Sequence, residues 1–224
     1  MIRSAAELAA LIDHTLLKPE ATPEQIKALC REAVAHSFKA VCINPCYVRL
    51  AAAELDRTGV LVATVVGFPL GATTPEVKVA EAVEAVSGGA DELDLVLNLG
   101  RLKASDHEYV RAEIAQVVKA VEGRPVKVII ETALLTEEEK VIACRLAVAA
   151  GAAFVKTSTG FAKGGATPED VRLMRQTVGD QVGVKASGGI RDLATLQAMV
   201  AAGATRIGTS AGLQIMNEFV SLER

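Results

Sequence analysis

The chain has 224 residues, of which 50% are hydrophobic, and its formal net charge is -3 at pH 7. This length fits one α/β barrel domain, and the charge gives no general attraction for nucleic acid or for anionic membranes. No apolar run approaches the roughly 20 residues of a membrane span, and the N-terminus lacks the apolar core of a signal peptide. We therefore expect a cytoplasmic protein with no nucleic-acid or membrane partner.

Short apolar segments and helical patterns alternate along the chain. The apolar segments predict eight buried strands, at residues 11–15, 38–43, 60–66, 92–97, 126–130, 153–157, 182–186 and 205–209. Capping residues predict helices that begin at or just after Thr22, Thr74, Ser105, Thr136, Thr167 and Asp192. No linker and no change of composition marks a second domain.

This alternation predicts an α/β fold, a (β/α)8 TIM barrel in which residues 1–224 form a single catalytic domain. A short N-terminal helix is expected to cover the bottom of the barrel. A doubly wound open sheet is the alternative, but no Gly-x-Gly-x-x-Gly follows the first strand, which counts against a dinucleotide-binding version. In a barrel, the chemistry is expected at the carboxyl ends of the strands.

Two lysines end predicted buried strands, where a charged amine is unusual. Lys156 precedes the turn 157–160, and Lys185 precedes the turn 186–189. If the two amines meet at one end of a parallel sheet, each raises the cost of charging the other. That arrangement favours a neutral amine, the nucleophile of Schiff-base chemistry.

Asp94 is the candidate acid–base group beside these lysines, because a carboxylate there can shuttle protons and keep one lysine charged. A purely structural ion pair of Asp94 with Lys127 or Lys156 is the alternative. Lys127 shares a predicted strand face with Glu131, so we expect a buried pair there that supports the site.

Three turns made of glycine, serine and threonine follow the last three strands, at residues 158–160, 187–189 and 208–210. Free backbone N–H groups in such turns, helped by helix dipoles, bind phosphate, and TIM barrels often place phosphate after strands 7 and 8. We therefore expect a phosphorylated small-molecule substrate.

The four cysteines give little support for a metal site. Cys42 and Cys46 could form half of a zinc site, but no second pair of Cys or His completes it. We expect reduced thiols, and neither a metal nor another cofactor. Cys42 ends the second strand, where it is expected to line the pocket.

Five segments, which keep the family's order between about residues 8 and 219, resemble the deoxyribose-phosphate aldolase family. They are Leu11–Lys18, Ala90–Asp94, Val128–Thr132, Phe154–Phe161 and Val184–Arg191. The resemblance implies a class I aldolase that reversibly cleaves 2-deoxy-D-ribose 5-phosphate to D-glyceraldehyde 3-phosphate and acetaldehyde without a metal. Small phosphosugar and aldehyde substrates follow from it, and we also expect a homodimer.

By its motifs, the resemblance makes Lys156 the Schiff-base lysine, Lys185 the second lysine, and Asp94 the aspartate that relays protons through water. The implied phosphate contacts are Gly160, Gly188, Gly189 and Ser210, and the implied polar substrate contacts are Asp13 and Thr15. Three more residues are expected to bind substrate: Cys42 and Thr157 at strand ends, and Lys127 inside the fifth strand.

Two features depart from the family's pattern. Phe161 stands where some members have a lysine, so backbone dipoles or Lys163 would have to meet the phosphate charge. Some members also carry a tyrosine in a C-terminal tail, whereas this chain ends at Arg224 without a tyrosine nearby. Either the sequence is truncated, or proton transfer relies on Asp94, Lys185 and water.

The residues alone leave other activities open. A phosphosugar isomerase or synthase would use the same turns with an acid–base pair in place of two lysines. A phosphosugar-binding barrel without activity would need no neutral lysine. A ketose-cleaving Schiff-base aldolase or a transaldolase is set aside only by the resemblance.

Overall fold

The computed structural model describes residues 2–222, in which eight parallel strands close into a barrel in chain order. The strands are β1 Ile12–Leu16, β2 Ala40–Ile43, β3 Leu61–Val66, β4 Glu92–Val96, β5 Val126–Ile129, β6 Phe154–Lys156, β7 Gly183–Ser187 and β8 Arg206–Thr209. Each predicted strand is present, and the predicted (β/α)8 barrel is confirmed.

The helices surround the barrel. They are α1 Ala5–Ala9, α2 Pro23–Ala35, α3 Val48–Glu54, α4 Pro75–Ser87, α5 Leu99–Lys103, α6 His107–Ala120, α7 Glu137–Ala149, α8 Pro168–Val178, α9 Leu193–Ala201 and α10 Gly212–Leu222. All six predicted starts are confirmed, since each capping side chain accepts a hydrogen bond from the N–H three residues further on. No start was predicted for three helices: α3, which has no side-chain cap, the short α5, and α10, which begins at a glycine.

The expected N-terminal helix is α1, capped by the Ser4 side chain. The backbone N–H of Lys39, just before β2, donates to the carbonyl of Ala9. This contact places the end of α1 at the amino-terminal end of the barrel, opposite the end where barrel sites form. None of the helices within residues 2–222 is long and apolar enough to cross a membrane.

The barrel interior is divided into an apolar half and a charged half. On β2 and β3, small side chains fill it: Ala40, Cys42, Ala63 and Val65. On the other strands the interior holds side chains that are charged or can be charged, all at most 6% exposed: Asp13, Glu92, Asp94, Lys127, Lys156, Lys185 and Arg206. Buried charges are stable only when they are paired, so these side chains must be arranged around each other.

Candidate active site

Asp94 on β4 lies at the centre of the charged half. One carboxylate oxygen, Oδ1, accepts a hydrogen bond from Lys127 Nζ at 2.8 Å. The other, Oδ2, accepts from Lys156 Nζ at 2.8 Å and from Lys185 Nζ at 2.7 Å. The strand register produces this meeting, because Asp94 is paired with Lys127 across β4 and β5, and Lys156 with Lys185 across β6 and β7. The two amines are thus separated by a single carboxylate oxygen.

The carboxyl group of Asp94 is surrounded by three cationic groups that favour its ionised form. Burial by itself would raise the pKa of its carboxyl group, but the positive charges of Lys127, Lys156 and Lys185 outweigh burial and hold that pKa well below its usual range. A carboxylate that contacts both amines through one oxygen can accept a proton from either of them.

Lys185 is held as a cation. Its Nζ donates to Asp13 at 2.5 Å as well as to Asp94. Burial would lower the pKa of Lys185, but the charges of Asp13 and Asp94 outweigh it and raise that pKa. Asp13 is fixed in turn by Arg206, whose guanidinium donates to Asp13 at 2.8 Å and to Glu92 at 2.9 Å.

The charges of this cluster do not balance when every group is ionised. Three carboxylates, from Asp13, Glu92 and Asp94, meet four cationic groups, from Lys127, Lys156, Lys185 and Arg206. An unbalanced buried charge is costly. Among these four groups Lys156 has the fewest carboxylate partners, since it pairs with Asp94 alone.

A cleft of about 350 Å³ opens at the carboxyl end of the barrel. Of the three lysines on Asp94, Lys156 lines the cleft, whereas Lys127 and Lys185 do not. Thr15 also lines it, as do the three turns that were predicted to bind phosphate. The nucleophile candidate is therefore the one amine of the three that a ligand in the cleft can reach.

Four backbone N–H groups in these turns have no acceptor within residues 2–222, and they belong to Gly160, Gly188, Gly189 and Ser210. All four residues border the cleft. Gly160, Gly188 and Gly189 have φ values of 85°, 89° and 80°, which side chains beyond glycine rarely adopt. Ser210 lies just before α10, whose N-terminus favours an anion. The predicted phosphate residues are thus brought together around one opening.

Four other predicted substrate-binding residues are completely buried and do not line the cleft: Asp13, Cys42, Lys127 and Thr157. Lys127 and Asp13 hold the charged cluster, and the Thr157 hydroxyl bridges to Ser187 by two hydrogen bonds of 3.0 Å. Burial raises the pKa of the Cys42 thiol. Their direct contact with substrate stays a prediction, and their contacts here are with the protein.

Glu131 does not pair with Lys127, contrary to the expectation from the strand pattern. The strand β5 ends at Ile129, so the alternation of side chains no longer applies at Glu131. Its carboxylate accepts hydrogen bonds from Thr159 instead.

Phe161 lines the cleft and packs edge-on against Phe68, whereas Lys163 does not line the cleft.

Three cationic side chains at the site were not predicted from the sequence. Lys18 and Arg191 line the cleft, and both lie in the loops that follow β1 and β7, which is the signal that could have identified them. Arg206 opens β8 and pairs with Glu92. The signal for Arg206 was weak, since a charged residue at the first position of a strand is normally exposed.

The chain is similar to known aldolases in both sequence and structure. The sequence of residues 8–218 matches the family model of the DeoC/LacD family aldolases. A deoxyribose-phosphate aldolase of Halalkalibacterium halodurans is 60% identical over 212 residues, covering 94% of this chain and 95% of that protein. One of Caldanaerobacter subterraneus is 58% identical, covering 96% and 95%. Among solved structures, a tetrameric deoxyribose phosphate aldolase of Aeropyrum pernix is 37% identical with a TM-score of 0.92, covering 98% of this chain and 93% of that chain.

Proposed function

This chain belongs to the DeoC/LacD family of aldolases, and from that premise we propose which of its residues carry the reaction. It is a class I aldolase that reversibly cleaves 2-deoxy-D-ribose 5-phosphate to D-glyceraldehyde 3-phosphate and acetaldehyde through a lysine Schiff base. Such an enzyme serves the breakdown of deoxyribose phosphate.

Lys156 is the Schiff-base lysine in this proposal. The observation that carries it is that Lys156 borders the cleft while it shares one oxygen of Asp94 with the buried amine of Lys185. The two amines contact the same oxygen, so they are close enough for like-charge repulsion between them. Only the neutral amine can attack an aldehyde.

The reaction starts when the Lys156 amine attacks the aldehyde carbon of the open-chain sugar. Loss of water gives a protonated imine, which draws electrons from the bond between the second and third carbons of the sugar. The proton of the hydroxyl group on the third carbon leaves as that bond breaks, and glyceraldehyde 3-phosphate departs. The enamine that remains takes up a proton on its terminal carbon, and water then releases acetaldehyde and the free amine.

Asp94 is the proposed proton relay for these steps. Its Oδ2 contacts both amines, so a proton can pass between Lys156 and Lys185 through one atom. We assign it, acting through water, the removal of the proton from the sugar hydroxyl. Lys127 and Arg206 keep the carboxylates of the cluster in place.

The phosphate of the substrate is assigned to the free N–H groups of Gly160, Gly188, Gly189 and Ser210. Phe161 provides no charge at this opening, but the cations of Lys18 and Arg191 border it. The backbone dipoles and these two side chains would together meet the negative charge.

Further proposals concern the protein as a whole. Residues 1–224 would act as one catalytic domain, because β1 and β4–β8 all contribute to the charged cluster or the cleft. We infer a homodimer in the cytoplasm. Tetramers are the alternative, as in the aldolase of Aeropyrum pernix.

Borohydride trapping tests the assignment of Lys156. Reduction in the presence of acetaldehyde, followed by peptide mass mapping, should place one ethyl group on Lys156, and Lys156→Arg should take up none. A label on Lys185 would reverse the two roles. If no lysine is labelled, the chain is an acid–base isomerase or a binding protein with the same phosphate turns.

A further inference from the structure

Glu131 is a buried carboxylate that the reaction described above does not use. It follows β5 and is 3% exposed. Its backbone has a φ of 54° and a ψ of 67°, in the left-handed region that residues other than glycine seldom adopt. Such a conformation persists where surrounding contacts hold it, and it is concentrated at functional positions.

The Glu131 side chain contacts the turn that follows β6. The backbone N–H of Thr159 donates to Oε2 at 3.1 Å, and the Thr159 hydroxyl donates to the same oxygen at 2.5 Å. Because the hydroxyl proton is directed to Glu131, the hydroxyl oxygen is free to accept from the Phe161 N–H, at 3.1 Å. One carboxylate thereby closes residues 159–161 into a compact turn around Gly160.

A second anchor holds the same turn from the other side. The Ser187 hydroxyl, at the end of β7, donates to the Ser158 carbonyl at 2.6 Å. Glu131 is the anchor on the β5 side, and no residue of β5 or of the segment 130–135 lines the cleft. A residue that touches the turn without reaching the cleft can influence a ligand only through the turn.

We propose that Glu131 is a positioning residue for the phosphate end of the substrate, because it holds Thr159 and so directs the free N–H of Gly160 toward the bound anion. This inference rests on the proposed function, since it takes the ligand of the cleft to be a small sugar phosphate. A sugar without phosphate makes no use of that N–H, so its turnover does not depend on the shape of the turn.

Two variants weaken this contact from either side: Glu131→Gln removes the negative charge that receives both hydrogen bonds, and Thr159→Val removes the hydroxyl donor but keeps the backbone N–H. Each should raise KM for 2-deoxyribose 5-phosphate about tenfold, the scale of one charge-assisted hydrogen bond, while kcat changes by less than about threefold. For unphosphorylated 2-deoxyribose, kcat/KM should stay within about twofold. The increase in KM of the double variant should fall short of the product of the two single effects, because both variants weaken the same contact between the Thr159 hydroxyl and the Glu131 carboxylate. Thr159→Ser keeps the hydroxyl and should restore KM.

Glu113→Gln is the matched control. Glu113 is also completely buried, but it pairs with Lys78 in the helix layer at 2.8 Å. This control should lower Tm without changing the ratio of kcat/KM between the two sugars. Equal losses for both sugars in Glu131→Gln, or additive effects in the double variant, would overturn the proposal. Failure of the proposed function itself would show separately, as absence of borohydride trapping in the unaltered enzyme.

Discussion

Among the single residues, Lys156 and Lys185 are two lysines whose different surroundings suit them to different roles. Both donate to the same oxygen of Asp94, but Lys185 has a second carboxylate partner in Asp13 and is fully buried. Two carboxylates outweigh burial and keep Lys185 charged. Lys156 has one carboxylate partner and borders the cleft, and for this reason it is the amine that we propose for the covalent chemistry.

Lys185→Met removes the fixed cation and should shift the acidic limb of the pH–rate profile upward. The reason is geometric: the cation of Lys185 lies one carboxylate oxygen away from the Lys156 amine, and its removal also removes the like-charge repulsion between the two amines. We expect kcat/KM at pH 7 to fall about a hundredfold, and the loss to shrink at higher pH. Rates of 2-deoxyribose 5-phosphate cleavage across pH measure this. Lys119→Met, an exposed lysine on α6, is the control. A loss of equal size at every pH contradicts the electrostatic explanation.

At the scale of elements, the turn after β8 joins the cleft to α10. Ser210→Glu puts a carboxylate where the phosphate oxygens would bind, so KM for 2-deoxyribose 5-phosphate should rise about tenfold or more while kcat changes little. Activity toward unphosphorylated 2-deoxyribose should suffer much less, because that sugar has no anion to repel. Steady-state kinetics with both sugars provide the measurement. Ser221→Glu adds the same charge near the other end of α10 and should alter neither KM. Equal damage to both sugars would give Ser210 a structural role instead.

The elements were predictable because their signals are local. A threonine before Pro23, Pro75 or Pro168 specifies a helix start whatever surrounds it. The ends of the strands were predictable for the same reason, and with them the positions of both lysines. Partner choice inside the barrel was not predictable in this way. Glu131 reaches Thr159 only because β5 stops early and the backbone turns back.

At the scale of the whole molecule, the buried cluster ties stability to pH. Burial would raise the pKa of Asp13, but Lys185, Lys127 and Arg206 outweigh burial and lower it, as the lysines lower the pKa of Asp94. Groups with lowered folded-state pKa values contribute stability above their unfolded value of about 3.9 and lose it as pH falls below that value. The contribution is therefore complete at neutral pH and disappears in acid.

Tm measured against pH should therefore drop steeply below about pH 4. Asp13→Asn should lower Tm at pH 7, because Lys185 and Arg206 lose a partner, and should make the acid drop shallower, because one titrating group is gone. Asp180→Asn, at an exposed position, should change neither. An acid drop in Asp13→Asn as steep as in the unaltered protein would show that Asp13 does not contribute to it.

The charged half of the barrel also limits how this enzyme can diverge. Every carboxylate of the cluster pairs with at least two cationic groups, so replacing one carboxylate leaves unmatched charges in the interior unless a second substitution compensates for it. The loops around the cleft have no such requirement for paired charges. Phe161, for example, is uncharged and packs on Phe68 at the rim of the cleft. Substitutions at the rim of the cleft therefore leave the buried ion pairs intact, so the rim is the part of the site where the choice of substrate can be altered by single changes.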